Sequence, residues 1–469
     1  MLKPVTFLLL GLMTLVGCAP LDQSDPDRRN HAMILLQNNG LVPDQHVRTY
    51  VEGVGQRIIG ATPAVNADWD VYVLDTPRVN AYVLGSGSIY MTRGLVALAN
   101  SEAELAAVMA HEIAHLVAHH SAARSERMEQ VERQVLSETV LADMDDVQRA
   151  GNRIASGFAA FTRQQEADAD TRGLIYLAKA GYAPQAMVDF LRAMIAHETL
   201  EAALAHRRFD PAQANLMSSH PASAARVAAV EAALPTTLTG YMGRDAHLDV
   251  IDGLIWGADG RNGLIRGDRW INPVTGLSIT APPGLSFDVG EIVVRAGDAE
   301  GRYISFARDL SRGLTPAAYL TELWLPTMEA DDLRGEASEV RTRVINGRQT
   351  AYVDFPLRSL QGPMTLRFVA VALGREMLEF IMIAPAADRA AMDSLFDTLQ
   401  TVRILPRSRL DDLSPTRIRV VTAVPGQQID DFIAMMQVDS LARERFLALN
   451  NLTAGAQVQA GQRFKILVQ

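Results

Sequence analysis

The stretch AAVMAHEIAHLVAHH, residues 106–120, contains four of the ten histidines of the chain. His111 and His115 are four positions apart, so on a helix their rings share one face and can bind one tetrahedral metal ion. Glu112 lies about 100° around the same helix, close to such a metal without ligating it. A carboxylate there can take a proton from a metal-activated water and return it to a leaving amine. The spacing indicates metal-assisted hydrolysis, and a buried His–Glu–His trio that serves structure is the alternative.

The helix that must carry these residues is unusually apolar. Ser101 followed three residues later by Glu104 is a capping-box pattern, which predicts that a helix begins there. From residue 105 to residue 118 the two histidines and Glu112 are the only polar side chains. A helix that is apolar all round is normally buried, and burying polar side chains is costly unless they find partners. The three polar residues are therefore expected to serve one buried site.

Two further histidines, His119 and His120, end the stretch. The longer metal motif HExxHxxGxxH would need glycine at position 118 and histidine at position 121, where this chain has Ala118 and Ser121. The two histidines fall instead in the predicted last helical turn, where cations suit the helix dipole and the surface begins. We expect neither to bind the metal.

A third protein ligand must come from another part of the chain. The only cysteine, Cys18, lies in the N-terminal leader-like segment, so a carboxylate is expected. Glu166 and Asp170 are four apart on a predicted helix, where Glu166 could ligate and Asp170 could hold a ligand histidine in the correct tautomer. The alternative is an acidic turn facing solvent, with Arg163 and Arg172 as surface partners. The spacing alone does not decide between them.

Four motifs in order resemble the M48 metalloproteases over about residues 45–235. They are NAYVLGSGSIYMTRGL, HEIAH, TRQQEADADTRG with AGYAP behind it, and SSHPASAARV. The resemblance implies one Zn²⁺ per chain, held by His111, His115 and Glu166, with Glu112 as general base and Asp170 supporting a ligand. It also implies that His220 stabilises the oxyanion of the reaction.

The motif before the metal helix is implied to bind protein or peptide substrates. It consists of two short strand-like runs around the turn Gly85-Ser86-Gly87, where relatives usually have Pro-Gly-Gly. Ser88, Ile89 and Tyr90 are expected to lie in an edge strand that hydrogen-bonds an extended peptide by β-augmentation.

Composition and the N-terminus indicate the compartment. A net charge of −10, a pI near 5.5 and the lack of a basic stripe argue against nucleic acid as a partner. The start, MLKPVTFLLLGLMTLVGCAP, has a basic opening and an apolar run too short to span a bilayer. Leu15-Val16-Gly17-Cys18 resembles a bacterial lipobox. We therefore expect a lipidated Cys18 that anchors the chain on the periplasmic side of a membrane, and Ala19 favours the outer membrane.

The length of 469 residues predicts several domains. The expected fold is a mainly α, zincin-type (gluzincin) metalloprotease domain with a small β-sheet, an α+β domain and a small βααβ module. The expected segments are a signal peptide (1–18), a tether (19–45), the metalloprotease domain (46–235), a linker or active-site covering segment (236–283), the α+β domain (284–405), a second linker (406–416) and the module (417–469).

The last two domains carry weaker resemblances. The β-rich runs of residues 284–405, such as RYISFAR and LRFVAVAL, resemble the PsbP/DcrB-like type. Residues 417–469, with a Pro-Gly, LNNL and a final AGQRFKI, resemble a LysM module, which implies peptidoglycan as a partner. Gly426-Gln427-Gln428-Ile429 stands where LysM modules usually have Gly-Asp-Thr-Leu.

The leading functional interpretation is a zinc-dependent endopeptidase of the bacterial cell envelope that acts on misfolded or unassembled envelope proteins. The alternative is a gated or latent protease that works as an assembly chaperone or a peptidoglycan-tethered scaffold. His247, in GRDAHLDVIDG, could cap the zinc as an inhibitory, regulatory ligand, and a surface histidine is the other interpretation.

Overall fold

The computed structural model describes residues 26–65, 69–84, 87–124, 126–127, 130, 144–204, 209, 223–234, 239–289, 293–298, 300–328, 337–359, 362–410, 413–438 and 440–469. They fall into two compact units. The helical unit comprises the described residues of Asn38–Gly257 and Thr416–Gln469, and the sheet unit comprises those of Ala258–Pro415 together with Pro26–Gln37. Within the described ranges, no helix is long and apolar enough to cross a membrane.

Several helices lie before residue 258 in the described part of the chain. In chain order they are α1 (Pro26–Gln37), α2 (Gln45–Gly60), α3 (Arg93–Leu98), α4 (Glu102–Val117), α5 (Met144–Lys179), α6 (Gln185–Leu204), α7 (Ala224–Ala233) and α8 (Arg244–Ile251). Helix α4 is buried from Glu102 to His115. Ser101 caps it by accepting from Glu104 N at 3.2 Å, as predicted. The Glu104 carboxylate reaches one residue further back than a capping box does, to Asn100 N at 2.8 Å.

The small sheet of the helical unit corrects one expectation from the sequence. Its strands β1 (Asp70–Leu74), β2 (Ala81–Leu84) and β3 (Ser88–Thr92) are ordered β1-β3-β2, so β3 is the central strand. It pairs with β1 in parallel and with β2 antiparallel. The predicted edge position of residues 88–90 is therefore wrong, because both sides of β3 are hydrogen-bonded within the protein. Strand β2 is an edge strand instead.

The sheet unit is built around a large antiparallel sheet. Its strands are β4 (Leu264–Arg266), β5 (Arg269–Ile271), β6 (Leu277–Thr280), β7 (Asp288–Val289), β8 (Val294–Gly297), β9 (Tyr303–Leu310), β10 (Arg341–Ile345), β11 (Arg348–Ser359), β12 (Gly362–Leu373), β13 (Glu376–Pro385) and β14 (Arg403–Ile404). The large sheet has the order β10-β11-β12-β13-β9-β8-β7, and a smaller one has the order β14-β6-β5-β4.

Helices cover both faces of the large sheet. On one face lie α9 (Pro316–Tyr319) and α10 (Leu325–Met328), joined by a π-helical turn, and on the other lies α11 (Arg389–Asp397). Adjacent residues of β13 show the alternation, since Phe380 packs in one core and Ile381 against the other.

Residues 236–283 do not form the expected linker. Helix α8 belongs to the helical unit, whereas strands β4 to β6 belong to the sheet unit, so the boundary falls at Gly257. The many glycines that suggested a linker support tight turns between strands, as at Gly267, where φ is +59° between β4 and β5. The expected tether is also partly helical, because it contains α1.

The chain returns to the helical unit at Thr416. This C-terminal segment, Thr416–Gln469, contains β15 (Arg417–Thr422), α12 (Ile429–Met435), α13 (Ala442–Leu449) and β16 (Arg463–Val468), with the two strands paired antiparallel. It has a small apolar core of its own that includes Phe432, Phe446 and Phe464. Its glycan binding stays a prediction.

Candidate metal centre

Three buried ligand atoms from two helices meet at one point. His111 Nε2 and His115 Nε2 are 3.0 Å apart on α4, and each lies 3.3 Å from an oxygen of Glu166 on α5. Zinc–nitrogen bonds of 2.0–2.1 Å in a tetrahedron place neighbouring ligand atoms about 3.3 Å apart. The three side chains therefore fit a zinc ion. They are the one group of potential metal ligands of this kind among the described residues.

A glycine lets the two helices approach closely at this point. A Cβ added to Gly173 of α5 would lie 3.3 Å from His111 N and 2.8 Å from the terminal methyl of Met187. Gly173 lies seven residues after Glu166, two helical turns along the same side of α5. The close packing of α5 on α4 at this position holds Glu166 opposite the two histidines.

The second nitrogen of His111 is held by a buried carboxylate. His111 Nδ1 lies 2.9 Å from Asp170 Oδ1, in the orienting position predicted for Asp170. Burial and Arg226 lower the pKa of His111, but hydrogen bonds to Asp170 and Glu166 outweigh them and raise it to about 9. At this raised pKa His111 carries a second proton at neutral pH. A histidine that binds a metal must be the neutral imidazole, so metal binding has to displace that proton.

Arg226 of α7 is a site residue that the sequence reasoning missed. Its Nε and NH2 groups donate to the two oxygens of Asp170 at 2.6 and 2.7 Å, and its NH1 group lies 2.8 Å from Glu166. Although burial raises the pKa of Asp170, the guanidinium holds it well below its usual range. Arg226 lies in the SSHPASAARV motif, which could have drawn attention to it.

His120 is the other missed residue. Its Nδ1 lies 2.9 Å from His115 Nδ1, and its Nε2 lies 3.2 Å from Asp168 Oδ2. The chain turns back because His119 adopts a φ of +54°, which leaves His119 exposed and His120 buried. The expectation that both histidines mark the surface end of the helix is therefore wrong for His120. Neither belongs to the metal-ligand group.

Glu112 lines a cavity of about 80 Å³ beside His111. One side of the cavity is formed by residues 79–81, which lead into the edge strand β2. The remaining wall is largely apolar: Leu95, Val108, Met187, Phe190, Leu191 and Met194. Glu112 thus has both the candidate metal ligands and an edge strand beside it.

His247 lies away from this cluster and is fully buried. Its Nε2 is 3.0 Å from Ala99 O, before the start of α4, and its Nδ1 is 3.2 Å from the Tyr50 hydroxyl. The surface interpretation is wrong, and this placement argues against an inhibitory ligand, because both ring nitrogens are engaged beside the opposite end of α4. His220 and Cys18 lie outside the described residues.

Comparison with known proteins agrees with the motifs. Residues 45–234 match Peptidase family M48. They form an M48 peptidase domain. M48 metalloproteases are zinc-dependent, which suits the ligand set of the M48 domain.

Curated relatives of the M48 domain carry protease names. The β-barrel assembly-enhancing protease of Escherichia coli strain K12 is 27% identical over 203 residues, which cover 40% of this chain and 39% of the relative. The mitochondrial metalloendopeptidase OMA1 of Schizosaccharomyces pombe is 31% identical over 198 residues, which cover 42% of this chain and 56% of the relative. The chain therefore spans about two fifths to a little over half of the length of these relatives.

Likeness to solved structures is weaker. The cyanobacterial PsbP of Synechocystis sp. PCC 6803 covers 30% of this chain and 98% of its own, with 11% identity and a TM-score of 0.24. A score this low supports no inference about fold or function.

Proposed function

We propose that this chain is a zinc-dependent endopeptidase of the bacterial cell envelope that hydrolyses misfolded or unassembled envelope proteins. The observation that carries the peptidase activity is the convergence of three buried side chains: His111 Nε2 and His115 Nε2 are 3.0 Å apart, and each lies 3.3 Å from one of the two oxygens of Glu166, with Glu112 at the adjoining cavity. The matched family and the protease names of its relatives support the reaction class.

His111, His115 and Glu166 would hold the zinc, which supplies a Lewis acid that activates water and polarises the substrate carbonyl. Glu112 accepts the proton of the attacking water and passes it to the amine that leaves. Asp170 accepts a hydrogen bond from His111 Nδ1. This favours the tautomer in which Nε2 is unprotonated, and it holds the ring with Nε2 facing the other ligands. Arg226 holds Asp170 and Glu166 in place. The role of His220 at the oxyanion stays a prediction from the family resemblance.

Strand β2 is the proposed docking edge for substrate, in place of residues 88–90. The far side of β1 is already occupied, because Val42 N donates to Val73 O at 2.9 Å and Asp75 N to Gly40 O at 2.9 Å. Strand β2 leads directly from the cavity beside Glu112. A peptide that pairs with β2 would pass the carboxylate in an extended conformation.

The apolar cavity predicts the preferred side chain next to the cleaved bond. Its walls of leucine, methionine, valine and phenylalanine can bury a large apolar side chain, and Asp170 and Arg226, which also line it, are already paired with each other. Peptides that differ at this one position should show kcat/KM at least about tenfold higher for Leu or Phe than for Gly or Asp. The same exchanges four residues away serve as the control. Equal rates for all four side chains would contradict the assignment of the cavity.

The envelope location rests on the N-terminal sequence. The lipobox-like segment ending at Cys18 supports a lipid anchor, and the C-terminal segment supports peptidoglycan as a further partner. The relatives' name concerns β-barrel assembly, which makes unassembled envelope proteins the proposed substrate class. Radiolabelled fatty acid should be incorporated into the parental chain and not into Cys18→Ser.

The decisive experiment replaces Glu112 with glutamine. Glu112→Gln should lower the rate of unfolded-protein cleavage by about two or more orders of magnitude, because the general base is lost. Zinc content should stay parental, since Glu112 is outside the ligand set. Glu52→Gln, an exposed exchange on α2, is the matched control. Parental cleavage by Glu112→Gln would contradict the mechanism, and a parental chain that binds zinc but never cleaves would favour the latent scaffold.

A further inference from the structure

Strand β16 is buried on both of its faces. Because side chains alternate along a strand, Phe464 and Ile466 pack in the core of the C-terminal segment, while Lys465 and Leu467 point the other way. Leu467 lies in the main apolar core of the helical unit, together with Ile418 of β15. The C-terminal segment therefore contributes to the core of the helical unit as well as to its own.

Lys465 is fully buried at the entrance to the metal helix. Its ammonium donates to Ala97 O, Leu98 O and Ala99 O at 3.0, 2.8 and 2.9 Å. These carbonyls end α3 and form the link to α4. An ammonium has three hydrogens, which match three acceptors, and a cation suits the C-terminal end of a helix. Without Lys465 the Ala97 carbonyl would have to find another donor, while Leu98 O and Ala99 O would keep Asn100 Nδ2 and His247 Nε2 as partners.

The same region is tied to β16 by a second cation. Arg244 of α8 donates to Asn100 O at 3.1 Å and to Arg463 O at 3.0 Å, so it bridges the link and the strand. Glu104, in the first turn of α4, is buried here. Burial raises the pKa of Glu104 to about 7, although the hydrogen bond from Asn100 and the charge of Lys465 oppose the rise.

Other contacts of the C-terminal segment reach the cavity wall. Asn451 donates to Asp189 O at 2.9 Å on α6, the helix that contributes Phe190, Leu191 and Met194 to the cavity. The backbone of Ile418 exchanges hydrogen bonds with residues 253 and 254 at 2.8 and 2.9 Å. The C-terminal segment thus holds both the start of the metal helix and the wall beside Glu112.

We propose that the C-terminal segment is an intramolecular clamp, centred on Lys465, that holds the metal helix α4 and the cavity wall in their working positions. The metal centre of the M48 domain then depends on residues that lie far outside the matched region. The proposed clamp acts on the proposed zinc site, so it can be tested by zinc binding alone. It rests on the proposed peptidase function only in experiments that measure cleavage.

The lysine content of the chain supplies a direct test. Lys3, Lys179 and Lys465 are its lysines, and Lys179 is exposed at the end of α5. An amine-acylating reagent applied to the native full-length chain, followed by peptide mapping, compares the two side chains in one sample. Lys465 should react at least about a hundredfold more slowly than Lys179, because the structure around its buried amine must open locally before the reagent can reach it. Comparable rates for the two would overturn the clamp.

Substitution tests the effect on the metal. Lys465→Met should weaken zinc binding about tenfold or more, measured by competition with a chelator, because the helix that carries two ligands loses its anchor. Lys179→Met is the matched control and should be parental. Parental zinc affinity in Lys465→Met would overturn the proposal, and if that variant does not fold, acylation of the parental chain decides. Slow Lys465 acylation and weakened zinc binding without any cleavage would leave the clamp intact and refute the peptidase proposal.

Discussion

At the residue scale, each candidate metal-ligand histidine is oriented by a different partner. His111 is held by Asp170, whereas His115 is held by His120. The partner of the second ring nitrogen fixes which nitrogen is free to bind a metal. In both cases Nδ1 is occupied and Nε2 faces the other ligands, so the two rings present the same atom to one point.

Charge at the site also favours a divalent cation. Glu112, Glu166 and Asp170 are three buried carboxylates, and Arg226 is the cation that contacts two of them. Opposite charges interact more strongly in a buried site than in water. A bound zinc ion would add two positive charges next to this excess of carboxylates.

His120→Ala should weaken zinc binding by about tenfold or more, because His115 loses the group that orients its ring. His119→Ala is the control, since the neighbouring side chain is exposed. Both variants are to be compared by chelator competition at the same pH. Equal zinc affinity in the two variants would show that His120 serves only the fold.

At the element scale, the order of three short strands decides where a substrate can pair. Thr92 N donates to Asn80 O at 3.1 Å, so alternate residues of β2 are bonded to β3. By this alternation Tyr82 faces β3, and the backbone of Val83 points to the open edge. The three strands are too short for a hydrophobic pattern to show their order in the sheet. The strand predicted to be the edge, β3, and the observed edge strand, β2, also resemble each other in sequence.

Val83→Pro should keep the fold and lower kcat/KM for protein substrates by about tenfold, because proline removes an outward N–H. Tyr82→Pro changes the adjacent residue, whose N–H is directed to β3, and should lower the melting temperature of the chain. The pair is compared by thermal melting and by cleavage of one unfolded substrate. Full activity in Val83→Pro would exclude β2 as the docking strand.

At the scale of the whole molecule, His247 makes the stability of the fold depend on pH. Burial, together with the charge of Lys465, lowers the pKa of His247 to about 3. An unfolded histidine titrates near 6.5, so between these values the unfolded chain binds a proton that the folded chain does not. The contribution of His247 to the free energy of unfolding is complete above pH 6.5. It decreases as the pH falls toward 3, by up to about 1.4 kcal/mol per pH unit.

His247→Asn should therefore give a shallower fall of melting temperature between pH 6.5 and pH 4 than the parental chain, at equal zinc. Its melting temperature at pH 7 should be lower, because a buried hydrogen-bonded ring is lost. His46→Asn, at an exposed position of α2, should keep the parental slope. An unchanged slope in His247→Asn would show that His247 does not cause the acid sensitivity.

The C-terminal residues lie far from the metal helix in the sequence but next to its core in space. A division into successive domains places residues 417–469 far from the metal site, yet β16 packs in the same core as α4. The sequence does not show this, because RFKILV alternates Arg463 and Lys465 with Phe464 and Ile466, as a strand with one solvent face would. The pattern therefore does not indicate that Lys465 is buried or which carbonyls it binds.

The sequence by itself determined the groups of the candidate metal site that spacing can define. His111, Glu112 and His115 share one helix, and Glu166 and Asp170 share another, so helical geometry sets the relation within each set. Tertiary structure decided what spacing cannot express: that Arg226 and His120 join the site, that β3 is central, that His247 is in the core, and that Lys465 closes on the link to α4. Such relations depend on packing between elements that are distant in sequence, and packing is decided only when all elements bury their apolar faces together.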